Sequence, residues 1–152
     1  MLGDKFMNSN VEIIEVRWHG RGGQGAVTAA ELLAKAAYID GYKDVQAFPF
    51  FGAERRGAPV TAFTRISSKK IHLRSQIYNP DVVVVLDPSL LGMVNVLEGL
   101  RNGGMLVVNI SKQPEELLEM GIPPKYKIAT VDATKIALDL GLKVAGIPVL
   151  KG

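Results

Sequence analysis

The stretch Trp18-His19-Gly20-Arg21-Gly22-Gly23-Gln24-Gly25-Ala26 constrains this chain more than any other. Val11 to Arg17, before it, alternates apolar and polar residues as a strand does. Ala26 to Ile39, after it, is rich in alanine and leucine as a helix is. The glycines therefore lie between a strand and a helix. Gly20, Gly22 and Gly25 have the spacing G-x-G-x-x-G, with Gly23 in addition. Glycine reaches positive φ and has no side chain to keep a ligand away. The first turn of the helix adds unpaired N–H groups and the positive end of its dipole, which suit an anion. Strand, turn and helix in that order are the context the dinucleotide fingerprint requires.

A dinucleotide site also wants an acidic residue at the end of the second strand, to hold the ribose. The second strand is expected at Asp44 to Phe48, and its C-terminal end reads Phe48-Pro49-Phe50-Phe51 without an acid. Asp40 and Asp44 precede it and Glu54 lies beyond it in a loop. Three readings of the glycine turn stand side by side: a nucleotide site, a turn that uses glycine for close packing, and an anion or partner surface with Arg21 and Gln24 exposed at its tip.

The rest of the chain alternates strands and helices. The expected helix 26–39 buries Val27, Ala30, Leu33, Ala34 and Ala37 on one face and stops at Gly41. A proline-bounded loop spans 49–59. Val60 to Ser67 reads as a strand, with Ile71 to Ser75 pairing back on it as a hairpin. Asp81 to Leu86, an acid followed by five apolar residues, reads as a central strand buried on both faces. A helix is expected at 89–100, a strand at 105–109, a helix at 113–120, a strand at 126–131, a helix at 133–140 and an extended apolar segment at 147–150. This pattern predicts a single α/β domain, a Rossmann-like open and mostly parallel sheet with helices on both faces. Residues 1–10 are expected to be a flexible N-terminus and 11–152 the domain. Ligands and partners meet such sheets at the carboxyl ends of the strands. Here that edge would gather the 18–25 turn, the 49–59 loop, Asp87-Pro88 and Asn109-Ile110-Ser111.

Several function classes are excluded or disfavoured. The chain has no cysteine, hence no disulfide, thiolate metal site or iron–sulfur ligand of its own, which fits a reducing cytoplasm. Its two histidines, His19 and His72, cannot build a histidine-rich metal site. The formal charge of +3 is spread in Lys/Arg runs no longer than two, unlike a nucleic-acid-binding face. No apolar run is long enough to span a membrane, and the N-terminus lacks a signal-peptide core. Nor do a Walker lysine, a G-x-S-x-G elbow or an H-E-x-x-H helix occur. His19 is either a base beside the glycine turn or a satisfied polar residue at a strand end; His72 is expected to face solvent. Asp87 sits where a metal or ribose ligand would, or caps the following helix. Trp18 is read as core or interface. Glu54-Arg55-Arg56-Gly57 suits gripping a phosphate or carboxylate, or pairing with another chain.

Three motifs in order carry a family resemblance: Gly20-Arg21-Gly22-Gly23-Gln24-Gly25, then Phe51-Gly52-Ala53-Glu54-Arg55-Arg56-Gly57-Ala58-Pro59-Val60, then Tyr78-Asn79-Pro80-Asp81 running into Leu86-Asp87. Together they resemble the gamma subunits of 2-oxoacid:ferredoxin oxidoreductases over residues 11 to 150. The form is most like the pyruvate (pyruvate synthase) members, with branched-chain 2-oxoacid enzymes close by. The resemblance implies a subunit without a redox centre of its own. The holoenzyme would convert pyruvate, CoA and oxidised ferredoxin reversibly to acetyl-CoA, carbon dioxide and reduced ferredoxin. Thiamine diphosphate, magnesium and the iron–sulfur clusters would sit on alpha, beta and delta subunits. The gamma chain would pack against these partners in the cytoplasm and help shape the approach of CoA.

The positions singled out by the resemblance are Arg21, Gly22, Gly23, Gln24 and Gly25, with Glu54, Arg55, Arg56 and Gly57. Arg21, Arg55 and Arg56 would meet CoA phosphates or lock an intersubunit contact, the second being preferred; no catalytic or metal-binding residue is assigned. Members generally continue past Gly146-Ile147-Pro148-Val149-Leu150 into further helix, whereas this sequence ends at Lys151-Gly152. That departure bears on any role of the tail and on the stability of the isolated subunit. The alternative function is a stand-alone Rossmann-like nucleotide-binding enzyme.

Overall fold

The computed structural model describes residues 12–50 and 56–142. Six strands form one open sheet: β1 (Ile13–Arg21), β2 (Asp44–Pro49), β3 (Pro59–Ser67), β4 (Val82–Val85), β5 (Met105–Asn109) and β6 (Lys127–Val131). Their spatial order is β2-β3-β1-β4-β5-β6. β1, β4, β5 and β6 are mutually parallel, and β3 runs antiparallel to both β1 and β2. The helices are α1 (Ala26–Ile39), α2 (Pro114–Glu119) and α3 (Ala133–Asp139), with a 3-10 turn at Pro88–Gly92. The α/β class and the mixed, mainly parallel sheet are as the sequence predicts.

β1 is longer than expected: it runs through the first glycine to Arg21. Gly20 is thus a strand residue, where a Cβ would come within 3.3 Å of the Ala26 side chain and 3.4 Å of Leu86. Close packing accounts for that glycine. Gly25, with φ of 86°, makes the entry to α1, where a residue with a side chain would be strained.

α1 covers β1, β2 and β3 on one face and buries Ala26, Ala30, Ala34 and Ala37 there; Val27 and Leu33 of the expected stripe are only partly covered. On this face the Trp18 indole N–H donates to Thr64 Oγ1, whose hydroxyl donates to the Ala30 carbonyl, so Trp18 ties sheet to helix. On the opposite face, Val83, Val85, Leu106 and Val108 pack with Leu90, Val96, Leu100 and Leu117 into the main apolar core.

Two expected elements are absent. Residues 71–75 form no hairpin, because both edges of β3 are already taken by β1 and β2. That segment is held instead by the Asp44 carboxylate, which accepts the Ile71 N–H at 2.8 Å. Residues 89–100 form no continuous helix. Gly99 is left-handed with φ of 73°, and the Arg17 Nη2 donates to the Val96 and Glu98 carbonyls. Residues 51–55 and 147–150 lie outside the described residues, as do the N-terminal residues 1–11.

Candidate functional site

The carboxyl edge of the sheet brings the glycine turn, the start of β3 and the turn after β4 together. Parallel pairing sets the ends of β1 and β4 side by side, and the Leu86 N–H donates to the His19 carbonyl at 2.8 Å. Asp87 therefore enters the space under the glycine turn. Its carboxylate accepts from Arg21 Nε at 3.1 Å, Gln24 Nε2 at 2.8 Å, the Ser89 N–H at 3.0 Å and Ser89 Oγ at 2.7 Å. Burial alone would raise the Asp87 pKa. The bonds from Ser89 and Gln24 and the charge of Arg21 outweigh it and hold the carboxyl below its usual range. The capping reading of Asp87 is correct, and its lone pairs are committed to side chains and backbone.

Arg21 and Gln24 do not stand exposed at the tip of the turn. The Gln24 side-chain oxygen accepts the Arg21 N–H at 2.7 Å, closing the turn on itself. Beyond Asp87, the Arg21 guanidinium reaches the Gly57 carbonyl at 3.0 Å, Ser89 Oγ at 2.9 Å and Met93 Sδ at 2.9 Å. A nearly buried carboxylate draws the guanidinium inward, where its directed donors find four acceptors. The Gly22 N–H donates to the Ala58 carbonyl, and the Gly57 N–H donates back to Gly22. So the start of β3 is laced to the glycine turn, and Gly22, Gly57 and Arg56 are neighbours through a parallel bridge. Gly23 and Gly25 face solvent, and so does Arg56. Met93, 61% exposed, lies against Arg21. Glu54 and Arg55 lie outside the described residues.

The spacing of the sheet changes the nucleotide reading. β3 lies between β1 and β2, so the end of β2 stands two strand spacings, about 9.6 Å, from β1 rather than one. The ribose-binding corner of a dinucleotide fold is displaced, besides lacking its acid.

His19 is buried, and its Nε2 accepts from Arg17 Nε at 2.9 Å. That bond puts the ring proton on Nδ1 and occupies the lone pair a general base would use. Burial, with the Arg17 charge as a second cause, lowers the His19 pKa to about 4. Arg17 is itself buried and clamps the 95–99 segment to β1. His72 is exposed, as expected. Among the described residues no cluster of three or more His, Asp or Glu is placed to hold a metal, and no helix is long and apolar enough to cross a membrane. The edge is thus a rigid, hydrogen-bonded surface carrying Arg56, bare glycine backbone and an exposed methionine.

Sequence reasoning missed the clustering of Arg21, Gln24 and Ser89 around Asp87, and the contact with Met93. The available signal was Asp87-Pro88-Ser89 at the end of an apolar strand expected to lie beside the glycine turn.

Comparison with known proteins places the chain. The pyruvate ferredoxin/flavodoxin oxidoreductase family matches over residues 15–151. The chain belongs to this family. It is 62% identical over 139 residues to the pyruvate/ketoisovalerate oxidoreductases common subunit gamma of Thermococcus litoralis, covering 91% of this chain and 75% of that one. It is 59% identical over 138 residues to pyruvate synthase subunit PorC of Methanocaldococcus jannaschii, covering 91% of this chain and 71% of the relative. The crystal structure of pyruvate oxidoreductase subunit PORC from Thermotoga maritima superposes with a TM-score of 0.71 at 44% identity, covering 91% of this chain and 71% of that one. The resemblance read from the three motifs thus stands.

Proposed function

We propose that this chain is the gamma subunit of a 2-oxoacid:ferredoxin oxidoreductase whose substrate is pyruvate. Its 62% identity to a gamma subunit shared by pyruvate and ketoisovalerate enzymes is the observation that carries this reading. Alpha, beta and delta subunits in the cytoplasm supply thiamine diphosphate, magnesium and the clusters, and pass electrons to ferredoxin. The gamma chain, residues 11–152, contributes no reacting group. Both acid–base candidates at its edge, His19 and Asp87, are engaged in internal hydrogen bonds. In the complex the edge works as a docking surface: Asp87 braces the turn from within, while Arg56, Gly23, Gly25 and Met93 face outward to the partner. We propose the same partner contact for Glu54 and Arg55, which precede Arg56 in the sequence. The N-terminus of α1 has no side-chain cap, which favours a second use of the same edge, steering a CoA phosphate as it approaches the active site.

The test is affinity purification of the tagged chain from its native cell, with partner masses and the visible spectrum recorded. A brown complex with larger subunits, reducing ferredoxin in a pyruvate- and CoA-dependent manner, supports the proposal. A colourless chain that arrives alone and binds a nucleotide tightly overturns it.

A further inference from the structure

Two polar side chains of β1 are buried with donors to spare. Arg17 and His19 share the sheet face opposite α1 and are only 8% and 9% exposed. Arg17 spends Nε on His19 and Nη2 on the Val96 and Glu98 carbonyls. Among the described residues neither Arg17 Nη1 nor the protonated Nδ1 of His19 has a hydrogen-bond partner. No fully occluded side-chain nitrogen or oxygen there is unpartnered, so both nitrogens keep some open surface. A cavity of about 560 Å³, lined by both residues, lies beside them. The charge is unbalanced as well. Arg65, the other buried arginine, pairs with Glu15 at 2.9 Å, and Arg21 pairs with Asp87 at 3.1 Å. Arg17 has no such carboxylate among the described residues. Glu98 lines the cavity without forming an ion pair with Arg17, and burial lowers the Arg17 pKa in spite of its charge. Buried charges are ordinarily paired, because an unpaired one is costly.

The walls are flat and apolar. Strand register sets Thr61 beside His19 and Phe63 beside Arg17. Phe50 and Tyr78, which also line the cavity, are 50% and 65% exposed and so stand at its mouth. Asn79 Nδ2 donates to the Gly99 carbonyl at 3.2 Å and ties the 76–79 wall to the 95–99 wall. Arg17 holds the second of these walls to β1, so the cavity is preformed. We propose that it binds a small organic carboxylate with a flat apolar body, whose oxygens accept from Arg17 Nη1 and His19 Nδ1. One guanidinium beside a neutral imidazole suits a monoanion, and no second cation lines the cavity to balance a phosphate dianion. The aromatic rings at the mouth suit a planar body, which an aspartate or glutamate side chain lacks. The volume lies within the roughly 300–1,000 Å³ usual for small-molecule sites.

The test is a titration of the full chain with benzoate near neutral pH, followed by the amide resonances of Thr61 and Ile77 and by the His19 ring. Saturable shifts at all three are expected, with the Nδ1 proton of His19 moving downfield. Benzamide, the same body without the charge, should bind about tenfold more weakly. Acetate, which has the chemistry of an aspartate side chain without the body, should also bind more weakly than benzoate, and so should inorganic phosphate. Tyr78→Ala removes an exposed ring and leaves Arg17 and His19 in place. It should weaken benzoate severalfold without lowering the melting temperature. The absence of saturable shifts overturns the proposal, and so does benzamide binding as tightly as benzoate. Acetate matching benzoate overturns it too, and would make an acidic side chain of a neighbouring chain the occupant. Phosphate binding more tightly than benzoate would overturn the choice of a monoanion.

Discussion

His19 makes the stability of this chain depend on pH between about 6.5 and 4. In the folded chain its pKa falls from 6.5 to about 4, through burial first and the Arg17 charge second. A base with a depressed folded pKa is protonated more readily in the unfolded chain. Its stabilising contribution is fully present above about pH 6.5 and is lost as the pH falls to about 4. At about 1.4 kcal/mol per pKa unit, that loss is about 3 kcal/mol. This is a large part of the 5–15 kcal/mol on which a domain of roughly this size stands. Asp81, whose pKa burial raises, opposes the trend, because the folded state takes up its proton first. Comparison with His19→Gln removes that contribution, since Asp81 titrates in both proteins. Urea unfolding at half-unit steps from pH 8 to 4 gives the two curves. Their separation should be constant above pH 7, and wild type should then lose about 3 kcal/mol relative to the variant by about pH 4. Parallel curves over the whole range would refute the reasoning. So would a His19 resonance in wild type that titrates at the free-imidazole value.

Four further outcomes follow from the same contacts. Asp87→Ala leaves the Arg21 guanidinium and the Ser89 N–H without their buried acceptor; urea unfolding should show a loss of about 4 kcal/mol, and a loss below 1 would mean that the cluster is ornamental. Gly99→Ala drives a Cβ into the Tyr78 carbonyl, whereas the same change at Gly103 meets open space and pays only for its left-handed φ. Thermal melts should show about 3 kcal/mol lost at Gly99 against about 1 at Gly103. Arg56→Ala, at an exposed position, should leave the melting temperature unchanged and weaken recovery of partner subunits in a pull-down. Finally, NAD or NADP at millimolar concentration should not raise the melting temperature of the chain, whereas a bound nucleotide would raise it by mass action.

Much of the frame was legible because its signals are local. Helix 26–39 and strand 105–109 follow from alanine-rich periodicity and from a short apolar run bounded by Gly104 and Asn109. What the sequence concealed depends on non-local placement. The insertion of β3 between β1 and β2 has no signature within β3 itself, yet it removes the edge a 71–75 hairpin would have needed and moves the end of β2 away from the glycine turn. Residues 89–100 are not one helix: Arg17, far off in sequence, takes the Val96 and Glu98 carbonyls. At the edge, the glycine turn was found directly, whereas the inward rotation of Arg21 and Gln24 depends on Asp87. That residue's identity was plain, but its position under the turn was not, until β4 was known to pair with β1.

The proposed role is that of one subunit in a pyruvate-oxidising complex. The most direct measurement is pyruvate- and CoA-dependent ferredoxin reduction by that complex, purified with the chain, stripped of it and reconstituted with it. Activity should fall when the chain is removed and return when wild-type chain is added back. The return should be weaker with Arg56→Ala and be restored at higher concentrations of the variant. Full activity in the stripped complex, or activity unaffected by adding the chain back, would contradict it.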